Sequence, residues 1–316
     1  MCRTTTTIAT LVICAAAPLA AADDRPTLQA QGLWDHAGHS GAIRQVGEWC
    51  DTCEGAGSRT LFRWSDDPFS APLEDDVIVT DRPDFTEASS TVGAGVIQVE
   101  AGYTYVYDSE SGTSTRLQSW GEPLFRIGLH EDWLEFRLAV LPLEERVTSP
   151  GTSNTTNGVE DIFVGFKIGL TPQAGLLPEM AIIPRILVPS GSSSFGRDGV
   201  RPGLNWIYGW EINDWLSTAG STQFNRAIDG GTNEPYLFVA QSWTVAIALT
   251  EAWGIYAEWF ALGRSGADTA QVQQFVNGGF TYLVNDDVQL DIRAGRGLNS
   301  AADDFFVGTG ISMRFR

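Results

Sequence analysis

The stretch "FFVGTGISMRFR" (305–316) ends the chain and alternates between two kinds of side chain. From Phe305 to Phe315 every second residue is apolar, apart from one threonine, and the positions between are mainly Gly308, Gly310, Ser312 and Arg314. A period of two is that of a β-strand, whose successive side chains point to opposite faces. The pattern predicts a strand with an apolar face toward lipid and a small, polar face toward a lumen.

The same period recurs along the chain from residue 96 onward. In "IQVEAGYTYVY" (97–107) apolar and aromatic residues alternate with small or polar ones, and "VQLDIRAGRG" (288–297) repeats the pattern. Counting hairpins predicts about twelve strands, an even number as in single-chain bacterial outer-membrane barrels. The expected fold is therefore an all-β, transmembrane antiparallel β-barrel. Its predicted strands are 96–107, 115–129, 133–146, 159–170, 179–189, 200–212, 215–227, 235–249, 253–262, 271–284, 288–297 and 304–315.

The connections between these strands distinguish a membrane barrel from a soluble sandwich, which also alternates. Short turns, such as "HED" (130–132) and "ND" (213–214), alternate along the chain with long segments rich in Gly, Ser, Thr and Asn. The long segments include "DSESGTS" and "TSPGTSNTTNG". Tight periplasmic turns and long outer loops are typical of outer-membrane barrels. Trp133, Trp215 and Trp253 follow short turns, which predicts an aromatic girdle at the membrane interface.

A sheet in lipid must also close on itself, because an open edge would leave backbone groups unpaired. We therefore expect the last strand to pair with the first. The partners expected from this architecture are outer-membrane lipid, the barrel-assembly machinery, which reads a terminal aromatic residue, and small-molecule solutes. Here Arg316 follows the terminal Phe315.

The N-terminus has the layout of a secretory signal peptide. Arg3 precedes an apolar run (8–19), and three alanines end at Ala22, near which we expect cleavage. The formal net charge of −19 argues against nucleic-acid binding, which needs a basic surface. The expected organisation is a signal peptide (1–22), an N-terminal periplasmic extension with a candidate plug segment (23–95) and the barrel (96–316). The expected location is the outer membrane of a Gram-negative-type bacterium.

One segment, "TDRPDFTEASSTVGAGVIQVEAGYTY" (80–105), resembles a known family. Outer-membrane proteins of the meta-pathway of phenol degradation, often called transporters, open their barrel with a T-D-R-P-D-F-T-E segment and a first strand with an E-x-G-Y core. Here these elements correspond to 80–87 and to Glu100, Gly102 and Tyr103. The resemblance implies an outer-membrane channel, with aromatic or other apolar compounds as solutes. The alternative is a structural or loop-mediated, adhesive barrel without transport.

Charged residues at inward positions are the candidates for lining the lumen. Both signs occur, which favours salt links across a narrow lumen over an ion-selective ring of one sign. Inward Glu122 and Glu135 belong with them, and Ile183, Phe260 and Phe306 would form an apolar path or fill space. The lumen candidates are Glu100, Arg126, Arg137, Lys167, Arg185, Arg201, Glu211, Glu258, Asp291, Arg293 and Arg314.

Four charged residues crowd around Pro83 just before the barrel: Asp81, Arg82, Asp84 and Glu87. One interpretation is a plug that enters the periplasmic mouth, where luminal arginines need carboxylate partners. The other is a solvated linker, since proline and charge disfavour packed structure.

The N-terminal extension contains the remaining chemistry-bearing residues. Cys50 and Cys53 are expected to form a disulfide in an oxidising compartment, although a zinc site with His36 and His39 or redox chemistry stays open. We expect no cofactor and no enzyme activity. Histidine-dependent hydrolysis is disfavoured because only His130 lies in the barrel region, in a predicted short turn.

Overall fold

The computed structural model describes residues 38–39, 59–62, 77–229, 234–265 and 272–316. In these residues all regular structure is β, and no helix is long and apolar enough to cross a membrane. The strands are β1 Gly38–His39, β2 Pro83–Asp84, β3 Ile97–Glu110, β4 Thr113–Gly128, β5 Leu134–Ala139, β6 Pro142–Ser149, β7 Thr152–Val159, β8 Ile162–Thr171, β9 Glu179–Val188, β10 Arg201–Asn213, β11 Leu216–Ile228, β12 Pro235–Ala248, β13 Trp253–Ser265, β14 Gln273–Asn285, β15 Val288–Gly297 and β16 Phe305–Phe315.

Strands β3 to β16 close into one antiparallel barrel. The last strand, β16, pairs with β3 in a register that runs from Phe315 opposite Ile97 to Phe305 opposite Tyr107. Both β5 and β6 pair with β4, while β8 pairs with β5 and β7 with β6. β5 and β6 are therefore two parts of one barrel strand, broken at 140–141, and β7 and β8 are two parts of the next, broken at 160–161. The described segments therefore form the twelve-strand barrel that the sequence predicts, including its predicted closure.

Two stretches predicted as long loops are instead strand hairpins. β3 and β4 meet at a two-residue turn, Ser111–Gly112, in which both φ angles are positive (50° and 82°), as hairpin turns of two residues favour. β6 and β7 are likewise joined by only 150–151. Arg116 and Arg146 pair across β4 and β6 on the exposed side. Because charge on a lipid-facing surface is costly, we infer that these hairpins extend beyond the apolar zone of the membrane. Their polar composition alone would favour a loop. In the structure these polar residues instead form the ends of strands, outside the lipid.

Side-chain burial follows the predicted alternation. In β16, Phe305 and Val307 are exposed on the outer face, whereas Phe306 between them is buried. Trp215 and Trp253 are exposed beside their short turns, and Trp133 is half-buried.

The barrel interior is filled by side chains rather than open. Its largest fully buried side chains include both cations, such as Arg126, and aromatic rings, such as Phe260. Charged residues concentrate toward the end with the short turns. A continuous apolar cluster extends from Phe85 toward the other end, where the buried Phe195 belongs to the β9–β10 connection. The opposite end thus holds the larger apolar cluster, beside the buried Arg201–Asp161 pair.

Candidate functional site: a loop inside the barrel

The chain before β3 folds into the lumen as a loop, which we call the luminal loop (78–95). It enters at the short-turn end, where the amide of Ile78 donates to the carbonyl of Asp286 (2.7 Å). It returns to the same end, where the amide of Ala94 donates to Asp132 Oδ1 (2.9 Å). Across its neck, the amide of Ala88 donates to Asp81 Oδ1 (2.9 Å). Every residue from 80 to 88 is buried, so the tip of the loop lies inside the barrel.

Asp81 is the main charged anchor of this loop. Its carboxylate lies 2.9 Å from Lys167 Nζ and 2.5 Å from Arg137 Nη1, with Arg126 Nη1 at 3.3 Å. The amide of Asp81 donates to both carboxylate oxygens of Glu100 (2.9 and 3.0 Å). All these side chains are at most 1% exposed. Buried charges persist only when they are paired, so the wall cations and the loop anion depend on each other.

Two further carboxylates extend this network along the loop. Glu135 accepts from Arg126 Nε (2.8 Å) and from the amide of Val92 (3.0 Å), which ties the returning arm to the wall. Glu87 accepts from Arg137 Nη2 (2.8 Å) and from the Asn205 side chain. Charges of the loop and of the wall therefore pair with opposite signs along this network.

Arg82 contacts the adjacent part of the wall, formed by β3, β4, β15 and β16. Its guanidinium pairs with Glu122 (2.7 Å) and Asp291 (3.2 Å). It lies over Gly102 and Gly310, which face each other in the β3–β16 register. A Cβ atom at either glycine would overlap the guanidinium. The two glycines thus leave the space that this side chain occupies.

The tip of the loop meets β13. Glu258 accepts hydrogen bonds from the amides of Phe85 (2.6 Å) and Thr86 (2.8 Å) and from Thr86 Oγ1 (2.7 Å). The ring of Phe85 stacks on Phe260 with centroids 4.7 Å apart and an interplanar angle of 4°. Arg293 Nη1 donates to the carbonyl of Pro83 (2.9 Å). The tip is therefore held by backbone and ring contacts as well as by ion pairs.

The remaining predicted residues lie away from the anchor. Arg185 donates to Asn225 and Gln223, and Arg201 pairs with Asp161 (2.5 Å), whose carboxylate also accepts amides of the β9–β10 connection. Glu211 is exposed at the short-turn end of β10, and Arg314 pairs with Asp287 in the β14–β15 turn (2.9 Å). The structure places Glu211 and Arg314 at the rim rather than beside the luminal loop.

Asp84 is buried at the tip, and among the described residues none donates a hydrogen bond of normal geometry to its carboxylate. Cys50, Cys53 and His36 lie outside the described residues, as does the side chain of His39, whose backbone pairs with Pro83.

Several residues of the site escape sequence reasoning. Phe85 lies in an irregular segment without periodicity, so nothing in the pattern shows that its ring faces a strand. Phe275 and Asn277 occupy inward positions of β14, but uncharged inward residues carry no signal that separates contact with the loop from space filling.

Several solved structures are similar to this chain. An outer membrane channel from Pseudomonas putida F1 is similar in structure, with a TM-score of 0.54 and 13% identity over 70% of this chain and 96% of that chain. The translocator domain of the autotransporter NalP from Neisseria meningitidis gives a TM-score of 0.48 at 11% identity, covering 71% of this chain and 89% of that one. The CymD monoaromatic hydrocarbon channel gives 0.39 at 10% identity, covering 70% and 88%. No functionally curated protein matches the chain.

A protein-family model matches residues 80–315, which include the luminal loop from Thr80 and the whole barrel. The barrel is of the outer-membrane type, and the match includes the segment on which the sequence resemblance rests. The chain belongs to the family described as "Putative MetA-pathway of phenol degradation".

Proposed function

We propose that this protein is an outer-membrane channel that passes small aromatic or apolar molecules, and that the luminal loop is its plug. The observation that carries the proposal is the loop itself, which runs buried through the barrel interior and is held by charges on several strands. A barrel of twelve strands is narrow, so one loop suffices to block it. The family membership and the structural likeness to an outer membrane channel support the same assignment.

The apolar cluster in the lumen favours an apolar solute. Toward the long-loop end the inward residues form an apolar cluster that includes Phe238, Leu262 and Ala302. An apolar wall adds nothing to the passage of ions, but it offers favourable contacts to a molecule that leaves water. The proposal assigns no catalysis to the barrel, and His130 is exposed in the turn between β4 and β5.

Conductance of the refolded protein in planar bilayers tests the proposal, with two truncations compared. Deletion of 23–90 removes most of the luminal loop, whereas deletion of 23–76 leaves it in place. We expect low conductance from the mature chain and from the shorter deletion, and a clearly larger conductance from the longer deletion. If all three forms are silent and take up no solute in liposomes, the barrel has a structural or loop-mediated role instead. Equal conductance in the three forms would show that the loop is no plug.

A further inference from the structure

The wall against which the tip of the luminal loop rests is built from consecutive cross-strand pairs of β13 and β14. Glu258 lies opposite Asn277, and Phe260 lies opposite Phe275, so the carboxylate and the rings occupy neighbouring inward rungs of one ladder. The rings of Phe260 and Phe275 stack with centroids 4.8 Å apart. Side chains held on paired strands keep their geometry better than those on loops. This surface therefore persists when the loop leaves it.

The loop occupies this surface as a ligand would. Phe85 adds a third ring to the wall stack, nearly parallel to Phe260. Next to that ring, three donors of the loop converge on Glu258, namely the amides of Phe85 and Thr86 and the Thr86 hydroxyl. The wall itself supplies one further donor, Asn277 Nδ2, at 2.7 Å. In chemical terms the wall binds a flat ring that carries a hydrogen-bond donor beside it.

Withdrawal of the loop alone would be unfavourable at this point. The Glu258 carboxylate would lose three of its four donors, and a buried carboxylate needs partners. Phe260 would lose its stacked neighbour in the same step. A solute that supplies both a ring and a donor would compensate for both losses, whereas an aromatic molecule without a donor would compensate only for the second.

We propose that the Glu258–Phe260–Phe275 surface is a ligand site that Phe85 and Thr86 occupy in the closed barrel, and that a flat aromatic molecule with a hydroxyl or amino donor opens the channel by taking their place. This inference rests on the proposed function, because it assumes a plug that moves. It adds a specific site, a requirement for a donor on the solute, and opening through competition between the solute and the plug.

The test measures the open fraction of the mature, full-length protein in planar bilayers while aromatic probes are added. Phenol carries a donor; anisole and toluene are flat rings of similar size without one. A hydrogen bond to a charged acceptor distinguishes such probes by roughly ten- to a hundredfold in binding. We therefore expect phenol to raise the open fraction at concentrations at least about tenfold below those at which anisole or toluene act.

Two substitutions locate the response. Phe260→Leu keeps an apolar side chain but removes the stacking face, and we expect the response to phenol to be lost even if the basal open fraction rises. Phe280→Leu makes the same change at an exposed, outward residue of β14, on the same strand as Phe275 but outside the lumen. This control variant should respond to phenol as the unmodified protein does.

Three outcomes would overturn the inference. Action of all probes at equal concentrations would indicate simple partitioning into an apolar lumen. The same result in both leucine variants, whether the response is lost or kept, would place the site elsewhere. If deletion of 23–90 opens the barrel but the full-length protein responds to none of the probes, the proposed function is kept and this site is excluded.

Discussion

Replacement of Asp81 by asparagine should open the channel. The carboxylate of Asp81 is the shared partner of Lys167, Arg137 and Arg126, and none of these side chains is more than 1% exposed. Asparagine has nearly the same shape and keeps one oxygen acceptor, so the substitution removes mainly the charge. With the loop seated, the three cations would then face a neutral group inside the barrel.

The size of the effect follows from the cost of uncompensated buried charge. Removal of one partner from a buried ion pair costs about 3–5 kcal/mol, and the retained oxygen places Asp81→Asn near about 3 kcal/mol. The penalty applies to the seated loop, because the wall cations gain water when the loop leaves. Since about 1.4 kcal/mol is a factor of ten, the ratio of displaced to seated loop should rise roughly a hundredfold.

Single-channel recording measures this ratio as the open fraction, and Asp287→Asn is the matched control. Asp287 makes the same kind of pair, with Arg314 at 2.9 Å and Arg316 at 3.2 Å, but its side chain is 44% exposed at the rim. An exposed pair contributes at most about 1 kcal/mol, so this control should conduct like the unmodified protein. If Asp81→Asn conducts no more than Asp287→Asn while deletion of 23–90 opens the barrel, the charge network does not hold the plug.

Three further predictions concern the contacts of Arg82, the N-terminal extension and the location of the protein. Gly310→Val places an isopropyl group where the Arg82 guanidinium lies; we expect a raised open fraction, whereas Thr309→Val, on the neighbouring outward position, should leave conductance unchanged. Cys50 and Cys53 should form a disulfide with each other, which mass spectrometry after alkylation without reductant would show; free thiols with bound zinc would contradict this. The protein should fractionate with outer membranes and migrate differently on gels after heating, and recovery as a soluble periplasmic protein would exclude the location.

The strands and their faces could be predicted from local sequence because a strand repeats every two residues. Alternation from Phe305 to Phe315 is enough to assign the lipid and lumen faces of β16. The same signal places the strand ends within three residues of the observed ones, except for the strand predicted from 159, which begins at Thr152. It fails at the polar hairpins around 111–112 and 150–151. Their Gly, Ser and Thr residues suit a loop in water as well as a strand that continues beyond the membrane.

The sequence by itself determined the strands, their two faces and the charges of both signs inside, because these properties depend on neighbours along the chain; closure then follows from the cost of an open edge in lipid. Only the tertiary structure decided which charges meet. Arg82 and Asp291 are 209 positions apart, and Lys167 and Asp81 are 86 apart. Their contacts exist only because the barrel closes around the loop, a condition that no local pattern contains. The contact of Phe85 with Phe260 arises in the same way, since ring stacking depends on the path of an irregular segment through a finished barrel.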